Sequence, residues 1–242
     1  MQNPVLVIGA SGTIGSAVAT KLVKDGSSVI VHGGSDSPRL KKLADKLAAP
    51  AIFGDLSKDD IVLKCTDSIQ ALTPKLSGLV FAAASPFPHK LTLRTGWEVF
   101  QQQMECQLKS FHLVMQHLKN SFLSSEDGAR VVVLSTEYVL GSPPIKIAPY
   151  LAAKAALTTY AKVLSQELLA SNIRIQILAP GLIKSALTDD MPDEYLQQIA
   201  ENMPEKRLTN PEEVAHICAF MMKPEADPLY GTTIQVSRGP RR

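Results

Sequence analysis

The sequence predicts an α/β fold in which a doubly wound parallel sheet is covered by helices on both faces. Three observations carry this. Short aliphatic runs alternate with helical stretches along the chain, those runs are apolar at nearly every position, and the first of them ends in a glycine-rich turn that opens a helix. Strands alternating with helices demand a parallel sheet between two helical layers. Strands covered on both faces read as continuous apolar runs rather than as alternating ones.

The elements follow in order. PVLVIG is a buried strand, and TIGSAVATKLVKDG carries Ile14, Val18, Leu22 and Val23 at helical spacing with Gly26 as a stop. SSVIVHGG is the second strand. SPRLKKLADKL is the second helix, with Ser37 placed to cap it and Pro38 in its first turn. AAPAIFGDL gives a third strand in spite of Pro50, and LSGLVFAAAS a fourth. Trp97 to Phe122 reads as one long helix, ARVVVLS as the fifth strand, and Tyr150 to Ser171 as a helix throughout. NIRIQILAPG is the sixth strand, two helical stretches occupy about Pro192 to Met222, and TTIQV closes a seven-stranded sheet. No Ser/Gly linker, repeat or composition shift divides the chain, so residues 1–242 are expected to form one domain.

Composition narrows the function classes. The chain of 242 residues is 45% hydrophobic and 20% charged, ordinary for a globular protein, and its net charge of +2 makes no case for a nucleic-acid partner. The terminal RGPRR reads as a solvated basic end. Cys65, Cys106 and Cys218 are too few and scattered for a disulfide framework or a zinc site, and the five histidines form no ligand cluster. No leader opens the chain and no apolar run approaches the ~18 residues a membrane span needs. No membrane association, no metal and a cytoplasmic location are therefore expected.

GASGTIG sits where the first strand passes into the first helix, with Gly9, Gly12 and Gly15 three apart. Glycines there let the backbone approach a pyrophosphate, and the free N–H groups of the helix start point at the same place. After the first strand of a βαβ unit, this pattern points to a dinucleotide and a Rossmann fold. An acidic residue after the second strand would hold the ribose diol of NAD. Here Gly33 and Gly34 occupy that place, and Ser35 with Arg39 could bind a 2′-phosphate. NADP(H) is therefore expected over NAD(H), with Asp36 as the residue that would reverse the preference if the strand ran longer.

Tyr150 and Lys154 stand one turn apart on a single helix face. A phenol near its ordinary pKa of ~10 is a poor base, and a nearby ammonium favours its ionised form. Taken alone, the pair reads more readily as a buried aromatic beside a solvated lysine. Its setting, after a buried strand ending in Ser135 and Thr136 at the carboxyl edge of the sheet, points instead to proton transfer at a carbonyl or hydroxyl.

With these residues in place the chain resembles the short-chain dehydrogenase/reductase family, in its compact single-domain branch, and is similar in general look to 3-oxoacyl-acyl-carrier-protein reductases. The glycine turn, GDL after the third strand, Tyr150–Lys154, APGLIKS after the sixth strand, RLTNPEEVAHICAFM and the closing GTTIQVSRG fall in family order over nearly the whole length. The resemblance implies that Tyr150 is the acid–base and that Lys154 tunes it and holds the nicotinamide ribose. It implies a carbonyl-polarising hydroxyl after the fifth strand, where alignment of the strand selects Thr136, spacing from Tyr150 selects Glu137, and Ser135 adjoins both. It places Gly9, Ser11, Gly12, Thr13, Ile14 and Gly15 on the cofactor phosphates, Asp55 and Leu56 on the adenine, and Ala83 along the cofactor. Pro180, Gly181, Ile183 and Ser185 would hold the nicotinamide. Gln107 aligns with the asparagine of the family's tetrad. The chain departs from the pattern in the spacing of its glycines, in FAAA where the family has NNAG, and in that glutamine.

The expected function is thus an NADP(H)-dependent reductase of a ketone, such as a 3-oxoacyl thioester, or a dehydrogenase of the matching alcohol. The alternative is a catalytically impaired dinucleotide-binding sensor or scaffold. Residues 185–207 are expected to form a lid over a small-molecule carbonyl or alcohol site. SPFPHK and VLGSPPIKIAP are expected to wall that site. By the same resemblance the chain would associate as a homotetramer or homodimer.

Overall fold

The computed structural model describes residues 3–238, and the last four residues of RGPRR lie outside them. In chain order the helices and strands are β1 (Val5–Ile8), α1 (Thr13–Lys24), β2 (Val29–Gly33), α2 (Pro38–Leu47), β3 (Ala51–Phe53), α3 (Asp59–Leu72) and β4 (Gly78–Phe81). They continue with α4 (Trp97–Met104), α5 (Ser110–Leu123), β5 (Ala129–Leu134), α6 (Ala148–Leu168), β6 (Ile173–Pro180), α7 (Asp193–Glu201), α8 (Pro211–Met221) and β7 (Thr233–Val236). The seven strands form one sheet in the order β3-β2-β1-β4-β5-β6-β7. Every neighbouring pair is parallel. Strand order reverses between β1 and β4, which opens a crevice above their carboxyl ends, the place where ligands bind in such sheets.

The pleat sends alternate residues of each strand into one of two cores. Leu6, Ile8, Val131 and Val133 pack with Val62 and Ile69 of α3, Phe111 and Leu118 of α5, and Leu157 of α6. Val5, Val7, Val132 and Leu134 pack on the opposite face with Val18 and Leu22 of α1, Leu40 of α2 and Val214 of α8. Each fully buried aliphatic side chain contributes about 1.5–3 kcal/mol. Asp227 accepts two hydrogen bonds from Arg130 of β5, at 2.7 and 2.9 Å, and tethers the turn before β7 to the sheet.

Local signals act as expected at two helix ends. Ser37 Oγ accepts from Leu40 N–H at 3.3 Å, with Pro38 opening α2. Gly26 follows α1 at φ +92°, which only glycine adopts freely. Two elements differ from expectation. The sequence reading omits α3, although Asp59 and Asp60 lie in its first turn and Val62, Cys65, Thr66 and Ile69 mark a buried helical stripe. The long helix expected over Trp97 to Phe122 is interrupted by a π-helical segment, Glu105–Lys109, between α4 and α5. Such a segment inserts one extra residue into a helix and re-aims the side chains around it. Among the described residues, no helix is long and apolar enough to cross a membrane.

Candidate active site

The turn after β1 is held at backbone distance from its neighbours. Gly9 has φ +80°, and a Cβ on it would stand 2.6 Å from the Ala82 carbonyl oxygen. A Cβ on Gly15 would stand 2.2 Å from the Gly9 carbonyl oxygen. No side chain fits at either position, so β1, the first turn of α1 and the end of β4 close on one another. Gly12 precedes α1, its N–H donates to the Gly9 carbonyl at 3.0 Å, and the first turn of α1 carries no acid. The positive end of the helix dipole is left free for an anion.

This turn forms one end of a cleft of about 410 Å³. Gly9, Ser11, Gly12, Thr13, Ile14 and Gly15 line that end. Ser35 and Arg39 line it past β2, and Asp55, Leu56 and Ala83 past β3 and β4. Tyr150, Lys154 and Ser185 line the same cleft. Pro180, Gly181 and Ile183 stand instead around a smaller adjoining cavity of about 100 Å³, which shares Tyr150 and Ser185 with the cleft and adds Thr136. Asp36 lines neither. β2 stops at Gly33, and the exposed Asp36 carboxylate pairs with Lys41 at 2.9 Å.

The three polar residues after β5 take separate directions. Ser135 Oγ lies 2.6 Å from Thr158 Oγ1 of α6. The Thr136 hydroxyl stands against the Tyr150 phenol and pulls its pKa down, and both residues line the smaller cavity. The buried Glu137 carboxylate accepts from Gln235 Nε2 at 3.4 Å. Thr136 is therefore the hydroxyl that meets the tyrosine.

Tyr150 stacks on Phe87 of the loop after β4, with ring centroids 5.3 Å apart and planes 11° from parallel. Its ring keeps some exposure, but burial pushes the phenol pKa above its ordinary range, with the Thr136 hydroxyl pulling the other way. The buried Lys154 donates to the Leu134 carbonyl at 2.6 Å, and its Nζ lies 5.8 Å from the Tyr150 ring centroid. Burial lowers Lys154 to about 8, partly offset by Cys106. The ammonium is expected from the sequence to lower the phenol; here burial raises the phenol and lowers the amine. The result is a neutral phenol beside an easily deprotonated amine.

Gln107 lies apart from both cavities. It is fully buried in the π segment, where its Nε2 donates to Gln103 Oε1 at 2.8 Å. Gln103 Nε2 in turn donates to the Ser85 carbonyl and hydroxyl at 3.1 and 2.8 Å, so the two amides hold the loop after β4. Phe87 of SPFPHK, expected as a wall, lines the smaller cavity, whereas Cys106 and His32 of the cleft were not singled out as site residues in the sequence. The one signal for His32 is a polar residue inside an otherwise aliphatic strand.

The comparisons with known proteins agree with this architecture. The family model described as enoyl-(acyl carrier protein) reductase matches residues 9–240. The chain is 30% identical to the 3-oxoacyl-[acyl-carrier-protein] reductase FabG of Rickettsia bellii, over 97% of this chain and 95% of that protein. It is 29% identical to the FabG of Aquifex aeolicus over the same shares. Among solved structures, the Pseudomonas aeruginosa RhlG/NADP active-site complex superposes with a TM-score of 0.91 at 23% identity, covering 98% of this chain and 95% of that one. With the glycine turn, the cleft and the tyrosine–lysine pair on one sheet edge, and a family match over nearly its full length, the chain belongs to the short-chain dehydrogenase/reductase family of enzymes.

Proposed function

We propose that this enzyme reduces a ketone with NADPH, or oxidises the matching alcohol with NADP, with Tyr150 as acid–base. The carrying observation is that the glycine turn and Tyr150–Lys154 line one continuous cleft. The Cβ-free contacts at Gly9 and Gly15 and the uncompensated start of α1 suit a pyrophosphate. When bound, the reduced nicotinamide supplies the hydride. Tyr150, held neutral by burial, donates its proton to the carbonyl oxygen, and the Thr136 hydroxyl offers a second hydrogen bond there. Lys154 places positive charge beside the phenolate left behind, and it would hold the nicotinamide ribose. Gln107 would act at one remove, by fixing the loop after β4. Pro180, Gly181, Ile183 and Ser185 would hold the nicotinamide.

A preference for NADP(H) is supported by Ser35 and Arg39 lining the cleft while Asp36 is paired outside it. It is also in keeping with the NADP named for the Pseudomonas structure. The substrate is a neutral carbonyl compound. Ile14, Phe87, Ile147, Leu182, Leu187 and Met191 line the smaller cavity, which has no lysine, arginine or carboxylate. A 3-oxoacyl thioester, the substrate class named for the curated relatives, fits that lining. The chain acts as one domain in the cytoplasm, with residues 185–207 as its lid, fastened where His89 Nδ1 meets Asp190 Oδ2 at 2.7 Å. It associates as a homodimer or homotetramer, for which the exposed Trp97, stacked on Phe100, offers an apolar face.

Tyr150→Phe tests the assignment. NADPH binding should persist while turnover of a ketone panel falls by at least a hundredfold; retained turnover refutes it. The second reading, a dinucleotide sensor, draws on Gln107 being withdrawn from the cleft. It requires tight NADPH binding by the unaltered protein with no oxidation across the panel.

A further inference from the structure

Buried polar atoms are almost always paired, and one left over on a residue that lines a ligand cleft points to a ligand group. His32 is such a case. It is the last-but-one residue of β2, is 3% exposed, and lines the nucleotide cleft beside Gly54, Asp55 and Leu56. Its Nε2 lies 3.1 Å from the Gly54 carbonyl oxygen, an acceptor only, so the ring proton sits on Nε2. Nδ1 is then a lone-pair acceptor, and it is buried with no partner among the described residues. Burial holds the imidazole neutral, at about 4, so no second proton satisfies Nδ1 at neutral pH.

We propose that His32 Nδ1 accepts a hydrogen bond from a donor on the adenosine half of the dinucleotide and so helps the protein recognise that half. Two donors fit this chemistry, the exocyclic amine of adenine and the ribose 3′-hydroxyl. A 2′-phosphate has only acceptors to offer an imidazole lone pair, which leaves that group to Ser35 and Arg39 on the same cleft. The inference rests on the dinucleotide reading given above and adds to it a residue on β2.

The test is equilibrium binding, read by NADPH fluorescence and calorimetry on the whole protein. A hydrogen bond of this kind is worth about tenfold in affinity. His32→Phe should weaken NADPH binding about tenfold and leave reduced nicotinamide mononucleotide, which has no adenosine, unchanged. Two analogues then identify the donor. One is the hypoxanthine form of NADPH, in which a carbonyl replaces the amine, and the other is the 3′-deoxy form. The analogue that lacks the true donor should bind the unaltered protein about tenfold more weakly than NADPH does, and bind His32→Phe no more weakly than NADPH does. A measurement on the unaltered protein covers the case in which the variant does not fold. NADPH, but not the mononucleotide, should move the ¹⁵N resonance of the unprotonated His32 nitrogen upfield. The proposal is overturned by an unmoved resonance, by unchanged NADPH affinity in the variant, by equal weakening of the mononucleotide, or by analogue losses that do not depend on His32. If the unaltered protein binds no NADPH at all, the dinucleotide reading itself fails.

Discussion

Removing the charge from Lys154 should make the protein more stable while ending its turnover. Burial lowers Lys154 from its ordinary 10.5 to about 8. At ~1.36 kcal/mol for each tenfold, holding the charged form in the fold costs about 3 kcal/mol at pH 7. The folded value is the depressed one, so this cost is fully present below about pH 8 and fades as pH rises toward 10.5. Lys154→Met keeps the apolar stem and removes the charge. It also removes the hydrogen bond to the Leu134 carbonyl, worth about 1 kcal/mol. The net gain at pH 7 is about 1–2 kcal/mol, a rise in Tm of about 2–8 °C for a chain of this size. Thermal unfolding of both proteins at pH 7, 8, 9 and 10 measures it, and the gap should narrow and then reverse as the wild-type lysine loses its proton. A variant less stable than wild type at pH 7, by an amount that does not change with pH, would refute the reasoning. A functional group kept at a cost to stability is the ordinary trade at an active site.

Three further outcomes follow from named contacts. Gly15→Ala places a methyl group against the Gly9 backbone, which cannot move without displacing β1, so it should lower stability by about 1–3 kcal/mol and weaken NADPH binding more than tenfold by fluorescence titration. Arg39→Ala should raise the Kd for NADPH about tenfold and leave that for NADH within twofold, because the guanidinium lines the cleft where a 2′-phosphate would lie. Asp227→Ala leaves Arg130 of β5 without its carboxylate and should cost about 2–4 kcal/mol in urea unfolding, with ketone turnover at low denaturant unchanged.

Much of the fold was legible because its signals are local. The apolar runs VLVI, VIVHG and ARVVVL each became a buried strand, and Ser37 and Gly26 marked helix ends. The missed helix α3 has only a narrow apolar stripe among charged and polar residues, and its helicity depends on packing against α5. The π segment was not legible, since an extra residue in a helix leaves no mark in composition. At the candidate site, the glycine turn and the Tyr150–Lys154 pair were readable once their spacing was set against the strand that precedes each. The choice among Ser135, Thr136 and Glu137 was not, because it turns on where β5 stops. With Leu134 as its last residue, the next three side chains fan toward α6, Tyr150 and β7 in turn. Desolvation of Tyr150 and Lys154 was equally out of reach, being a property of the surroundings that Phe87 and Leu134 complete.

The extra residue between α4 and α5 couples two parts of the molecule that are distant in sequence. Taking one residue out of Glu105–Lys109 would let the two helices run on as one straight rod. Everything on the amino-terminal side would then swing by about 100°, the angular step of a single helical residue. Gln103 would turn away from Ser85, and the loop that carries Phe87 onto Tyr150 would lose its anchor. Such a deletion would thus unroof the tyrosine without altering it, and shortening this helix is a change that the enzyme cannot absorb silently.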